Sequence, residues 1–212
     1  TKGLWIWGQP VKLASDYYCI FVDTEGLGST QRTASCDMQI LSLCVLLSSY
    51  FIYNSLGSID EQAIDDLHLV LHLAKHIQVK SWESSDVNTT SPELSQYFPA
   101  FLWVLRDFHL RLVNEAGEPI TERQYLEGAL EPIPRQEDKN KLREVIKDLF
   151  QSRDCATLVR PVVDEAELRH IQNLPYESLR PRFRSQIEAF VQTVFSSVRP
   201  KAINEQPVTG EM

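Results

Sequence analysis

The sequence predicts an α/β protein with a mainly parallel sheet and helices on both faces, and three observations lead there. Short runs rich in β-branched and aromatic residues alternate with longer apolar or amphipathic stretches of helical length. Clusters of Gly, Pro, Asn, Asp and Ser separate them, as turns require. Acidic residues follow two of the β-prone runs, Asp23 and Asp107, at the strand tips where open α/β sheets place their ligands.

Taken in order, Leu4 to Trp7 and Tyr17 to Val22 are β-prone runs separated by Gly8, Pro10, Ser15 and Asp16, and they read as a hairpin. Cys36 to Ser48 has helical length and leads into Tyr50 to Asn54, whose aromatic content predicts a buried strand. Ser58 with Glu61 spells a capping box, which predicts a helix running to about Lys80. Ser81 to Pro92 is polar and turn-rich, which predicts a surface loop or a partly disordered segment. Phe101 to Leu105 is an apolar strand ending at Arg106 and Asp107, followed by a turn around Asn114 to Pro119 and a helix opened by Thr121 with Gln124. A charged helix near Lys139 to Phe150, a strand near Cys155 to Val159 and an amphipathic helix from about Pro181 to Val198 complete the series. Parallel strands joined by right-handed crossovers share one C-terminal edge, so Asp23 and Asp107 are expected to face a single ligand.

Composition narrows the function classes. The 212 residues, 43% hydrophobic and 24% charged, suit one soluble domain or most of one. A net charge of −8 argues against a nucleic-acid partner, because phosphate backbones select basic surfaces. Cys19, Cys36, Cys44 and Cys155 are scattered and form no C-x-x-C, so they read as reduced thiols of a cytoplasmic protein, a disulfide pair being the minor alternative. The longest apolar run, Ile40 to Tyr53, is 14 residues long and too short to span a bilayer. No signal peptide is expected from the opening residues, and any membrane association is expected to come from regions the chain does not contain.

The chemistry concentrates in Val22-Asp23-Thr24-Glu25-Gly26-Leu27-Gly28. An Asp at a strand tip can hold Mg²⁺ through water, and a Gly three residues later lets a backbone N–H approach a terminal phosphate with no Cβ in the way. D-x-x-G alone is a weak motif and gains weight only from its neighbours.

Those neighbours carry a family resemblance. Thr1-Lys2-Gly3-Leu4-Trp5-Ile6-Trp7, Asp23 to Gly28, Leu46-Leu47-Ser48-Ser49 through Tyr53-Asn54-Ser55, and Leu105-Arg106-Asp107-Phe108 together resemble the G domain of the guanylate-binding proteins, which are large dynamin-related GTPases. The resemblance covers nearly the whole chain, so residues 1–212 read as one partial G domain, from the switch I threonine to the junction with a helical domain near Gln206-Pro207.

The resemblance implies roles residue by residue. Thr1 falls on the switch I threonine that ligates Mg²⁺, Asp23 on the Mg²⁺-associated aspartate of switch II, and Gly26 on the glycine whose N–H meets the γ-phosphate; Thr24 lies between them in the nucleotide-binding loop. Leu27 stands where small GTPases carry their water-positioning Gln; the resemblance implies that Glu25, the nearest polar candidate, positions the water directly or through another water, as the catalytic residue beside Thr1, the alternative being a solvated switch-loop carboxylate. Arg106 and Asp107 fall on the pair that replaces the usual guanine motif. An Asp carboxylate accepts from guanine N1–H and the exocyclic amine, a donor pair adenine lacks, while the Arg106 guanidinium lies against the base face. Arg160-Pro161 resembles the start of the segment that covers the guanine and joins two G domains into a homodimer, although Val162 to Glu167 is more acidic than that segment's pattern.

The chain contains no G-x-x-x-x-G-K-[ST] loop, the nest that carries most phosphate binding. The first strand and P-loop are therefore expected upstream of Thr1, and this chain alone is expected to be poorly stable and to bind GTP weakly. The arginine finger of the family's P-loop is likewise missing. The expected activity of the intact protein is Mg²⁺-dependent GTP hydrolysis with G-domain dimerisation. Two alternatives stay open: a degenerate G domain serving as an interaction module without turnover, and an unrelated metal-dependent hydrolase using Asp23, Glu25 and Asp107. His68, His72 and His76 share a helix face beside an apolar stripe and read as a polar face rather than a metal site. Trp5 and Trp7 read as packing residues on one strand face, and Asp65-Asp66 and Arg180 to Arg184 as solvated faces.

Overall fold

The computed structural model describes residues 3–13, 17–24, 34–68, 95–203 and 206–208, with side chains of the third stretch described from Gln39 onward. In chain order the elements are β1 (Leu4–Ile6), β2 (Val11–Lys12), β3 (Tyr18–Cys19), β4 (Val22–Thr24), α1 (Ala34–Leu47), β5 (Tyr50–Leu56), α2 (Glu61–Asp65), β6 (Ala100–Arg106), α3 (Glu122–Ala129), α4 (Glu137–Leu149), β7 (Arg153–Leu158), α5 (Glu165–Arg169), α6 (Pro181–Ser197), β8 (Ala202–Ile203) and β9 (Gln206–Pro207).

The expected parallel sheet is formed by β5, β6 and β7, with β6 in the middle. Its register sets Trp103 opposite both Tyr53 and Cys155. A central parallel strand is covered on both faces, which is why Phe101 to Leu105 reads as an unbroken apolar run and is buried throughout. Alternation then sends Phe101, Trp103 and Leu105 to one face, against Leu41 and Val45 of α1, Ile64 of α2, Leu126 of α3, and Leu142 and Ile146 of α4. Leu102 and Val104 point the other way, toward Phe183, Ile187, Phe190 and Val194 of α6. Helices therefore lie on both faces, as the sequence predicts.

The larger core is aromatic. Phe101 and Phe150 have ring centroids 4.8 Å apart, Phe98 meets Phe150 edge-on at 5.5 Å, and Tyr53 meets Trp103 edge-on at 5.3 Å. The buried indole N–H of Trp103 donates to Ser55 Oγ at 2.8 Å, so its one polar atom is satisfied. Truncating a ring such as Phe101 costs about 3–5 kcal/mol by the usual scale for buried aromatics.

Several local expectations are corrected. The N-terminal hairpin exists but has two ladders, an outer one of β1 with antiparallel β4 and an inner one of β2 with β3. Trp5 and Trp7 are 55% and 68% exposed, so they do not serve as packing residues. Strand β5 is only half-buried, with Ile52 and Leu56 exposed, because among the described residues β6 alone pairs with it. The α2 cap is Asp60 rather than Ser58: its Oδ1 accepts from Ala63 N–H at 2.8 Å. The cause is tertiary, since the Tyr125 hydroxyl accepts from Ile59 N–H at 3.1 Å and keeps the chain from turning helical that early. Glu61 is thereby turned toward α4, where Lys139 Nζ lies 3.2 Å away and Arg143 also pairs with it. Lys139 reaches Asp65 as well, at 3.5 Å, so Asp65 is an ion-pair partner and not simply solvated. The rest of the helix expected to reach Lys80, the Ser81 to Pro92 loop, His72 and His76 lie outside the described residues.

Other expectations hold. Thr121 and Gln124 form the reciprocal capping box of α3, at 3.2 and 2.8 Å. The Asn114 to Pro119 turn closes through a Val113–Pro119 bridge, with Gly117 at φ +81° where a left-handed residue is needed. Cys19, Cys44 and Cys155 are free thiols, and the side chain of Cys36 lies outside those described. Helix α1 has no basic residue in its last turn, and Lys201, just before β8, takes over: its Nζ donates to the Val45 and Ser48 carbonyls at 3.1 and 3.0 Å. Burial there lowers the Lys201 ammonium to about 8. Among the described residues no helix is long and apolar enough to cross a membrane.

Candidate functional site

Because β5, β6 and β7 are parallel, their C-terminal ends converge on one edge, where Arg106, Asp107 and Arg160 lie. Arg106, the last residue of β6, is held in the ladder opposite Leu56 and Leu158. Its carbonyl accepts from Gly57 N–H at 2.7 Å, and its Nε donates to Asn54 Oδ1 of β5 at 2.7 Å. The guanidinium is thus fixed from a neighbouring strand while remaining exposed to solvent.

Asp107 takes the left-handed conformation at φ +53°. For a non-glycine residue this costs on the order of 1 kcal/mol, least for Asp and Asn, and it persists only where the surroundings impose it. Here they do. Arg106 is pinned before it. After it, Phe108 N–H donates to Leu158 O at 3.0 Å and the buried Phe108 ring meets Tyr125 edge-on at 5.6 Å. The chain must turn within one residue, and the turn projects the carboxylate, 41% exposed, away from the core.

Arg160 approaches from β7. Its Nε lies 3.9 Å from Asp107 Oδ2, and its Nη2 donates to Glu165 Oε1, at the start of α5, at 2.9 Å. The backbone beneath it is clamped by the residue that caps α6: Arg180 Nη1 donates to the Arg160 carbonyl at 3.2 Å and Arg180 N–H to the Pro161 carbonyl at 2.8 Å. Val159 N–H adds a bond to Gln186 Oε1 of α6 at 2.9 Å. Arg180 is therefore a structural clamp, which corrects its reading as part of a solvated face. Helix α5 is opened by Asp164, whose Oδ1 accepts from Ala166 and Glu167 N–H at 2.6 and 3.1 Å.

Three of the expected site residues, Arg106, Asp107 and Arg160, are thus brought together. Asp23 and Thr24 are not joined to them through the sheet. Both lie in β4, whose partner is β1, with Asp23 opposite Trp5, and among the described residues β4 does not pair with the parallel sheet. Pairing among the described residues therefore does not test the expectation that Asp23 and Asp107 face a single ligand. Thr1, Glu25 and Gly26 lie outside the described residues. Among those described, no three carboxylate, imidazole or thiolate side chains gather into a metal site.

Sequence reasoning missed two partners. Asn54 carries a faint signal, an amide in the middle of a strand, where Asn is disfavoured. Glu165 was visible only as excess acidity after Arg160. The resulting arrangement is a carboxylate with two acceptor oxygens, flanked by one guanidinium fixed from β5 and another held from α5. It can accept two adjacent N–H donors from the edge of a planar heterocycle while an arginine lies against the ring face.

Comparison with known proteins identifies the family. The family model for the guanylate-binding protein N-terminal domain matches residues 1–203, which include every candidate residue. Guanylate-binding protein 4 of Homo sapiens is 39% identical over 210 residues, covering 97% of this chain and 33% of its own length. Guanylate-binding protein 7 of Homo sapiens is 38% identical over 210 residues, with the same coverage. Guanylate-binding protein 3 of Mus musculus is 37% identical over 208 residues, covering 96% of this chain and 33% of its own length. The chain spans about a third of the length of these relatives.

Proposed function

From the premise that this chain belongs to the guanylate-binding protein family, we propose that it is part of the G domain of a large GTPase that binds and hydrolyses GTP. The observation that supports this most is the Asp107 turn: a strained residue between two pinned neighbours, its carboxylate exposed beside Arg106 and Arg160. Strain of this kind is retained where the side chain's direction matters. Asp107 reads the guanine N1–H and amino group, Arg106 lies against the base, and Arg160 begins the segment that covers it.

The phosphate end is assigned to Thr1, Asp23, Thr24, Glu25 and Gly26. Mg²⁺ keeps several waters and takes one or two carboxylates besides substrate phosphates, and Asp23 on β4 supplies an exposed oxygen donor of the required hard type. Bound there with Thr1, the ion would neutralise charge developing on the phosphate oxygens. Gly26 N–H meets the γ-phosphate, and Thr24, the last residue of β4, leads into that loop. Glu25 accepts a hydrogen bond from the attacking water, directly or through a second water, and so fixes its line of approach. In the intact protein, two G domains loaded with GTP pair through the face that carries Arg160.

The test is steady-state turnover of GTP by the full-length protein and its Glu25→Gln variant. The expected result is Mg²⁺-dependent phosphate release that falls about a hundredfold in kcat with little change in KM. Absence of turnover by the full-length protein would contradict the proposal and leave a G domain that serves only as an interaction module.

A further inference from the structure

Arg160 stands between two carboxylates that it treats differently. Glu165 Oε1 is at hydrogen-bond length from Nη2, 2.9 Å, whereas Asp107 Oδ2 is 3.9 Å from Nε, beyond a hydrogen bond. Nε is buried, and it makes no hydrogen bond while the guanidinium is turned toward α5. The main chain is restrained, because Arg180 donates to both the Arg160 and Pro161 carbonyls. The side chain is the freer part.

Left to itself, an arginine beside an aspartate closes into a two-point pair that takes both carboxylate oxygens. Those are the oxygens a guanine edge needs. From this juxtaposition we infer that Glu165 is a specificity-determining positioning residue: it draws the Arg160 guanidinium toward α5 and leaves the Asp107 carboxylate open to the base. The inference rests on the reading of Asp107 as the base-reading residue. It assigns the acidity after Arg160 a use at the nucleotide site. Glu165 is held for this by α5, whose first turn Asp164 caps.

The Glu165 carboxylate is exposed and Arg160 half-buried, and pairs with an exposed partner contribute about 1 kcal/mol or less, so the effect is expected to be about two- to fivefold in affinity. The experiment uses the full-length protein and fluorescent GDP and IDP, since inosine lacks the exocyclic amine and offers Asp107 one donor fewer. Glu165→Gln is expected to weaken GDP about two- to fivefold and to shrink the preference for GDP over IDP. Removing the competitor removes the need for its restraint, so Arg160→Met and Arg160→Met with Glu165→Gln are expected to bind GDP equally. An unchanged GDP preference in Glu165→Gln, or a further loss in the double variant beyond Arg160→Met, would overturn the inference. Asp107→Asn separates this from failure of the underlying reading. If it abolishes the GDP preference while Glu165→Gln does not, only the role of Glu165 fails; if it too leaves the preference intact, Asp107 does not read the base.

Discussion

Asn54 Oδ1 accepts a 2.7 Å hydrogen bond from Arg106 Nε, so a side chain in β5 sets the direction of the guanidinium at the end of β6. The two are 52 residues apart in sequence and meet because their strands pair in parallel with Leu56 opposite Arg106. Asn54→Ala is expected to cost about 0.5–1 kcal/mol of stability, the worth of one exposed hydrogen bond. In the full-length protein it is expected to weaken guanine nucleotides about three- to tenfold by freeing Arg106. Urea unfolding and nucleotide titration check the two parts separately; an affinity equal to wild type would show that Arg106 needs no support from β5.

The left-handed Asp107 makes a prediction about stability alone. Asn tolerates that conformation nearly as well as Asp, whereas a β-branched residue does not. Asp107→Asn is therefore expected to unfold within about 0.5 kcal/mol of wild type, and Asp107→Val to lose about 1–2 kcal/mol. Equal stability of the two variants would mean that the turn relaxes and stores no strain.

Breaking the contact between α2 and α4 should be costly. Arg143 is 1% exposed and reaches Glu61, and its Nε also donates to the Ala129 carbonyl at 3.2 Å. Glu61→Ala leaves a buried guanidinium without its carboxylate, a change expected to cost about 2 kcal/mol given that Glu61 itself is partly exposed. Arg143→Met keeps the volume and removes the charge, so it is expected to be the milder of the two in urea unfolding. The reverse order would show that packing by the Arg143 stem outweighs the charge.

Cys155 gives a pH dependence with a definite sign. Burial, then the charges of Glu122 and Asp154, push its thiol from the ordinary 9.0 up to about 12. The unfolded chain releases this proton near pH 9 while the folded chain keeps it, so the stabilisation is complete below about pH 9 and is lost as pH rises from there through about 12. Cys155→Ala is expected to flatten that part of the alkaline profile. Iodoacetamide at pH 8 is expected to label Cys155 only on unfolding. Rapid labelling of the folded protein would contradict its burial.

What could be read from the sequence was whatever depends on near neighbours. The Thr121–Gln124 capping box, the apolar run of β6 and the turn at Asn114 to Pro119 are local patterns, and each stands where expected. The α2 cap failed because a hydroxyl 66 residues away intercepts Ile59 N–H. The exposure of Trp5, Trp7 and half of β5 depends on what pairs with those strands, which periodicity does not encode. At the site, Arg106 and Asp107 were legible as a motif. Asn54 and Glu165 were not, because their meaning comes from partners on other elements.

The most direct test of the account compares wild type and Asp107→Asn of the full-length protein, titrated with GTP, XTP and ATP in the presence of Mg²⁺. Wild type is expected to prefer GTP over XTP and ATP by at least about a hundredfold, because a base without the donor pair leaves a carboxylate unpaired, and Asp107→Asn is expected to lose most of that preference. Equal binding of GTP and ATP by wild type, or a guanine preference that survives Asp107→Asn, would contradict the assignment of Asp107 as the residue that reads the base.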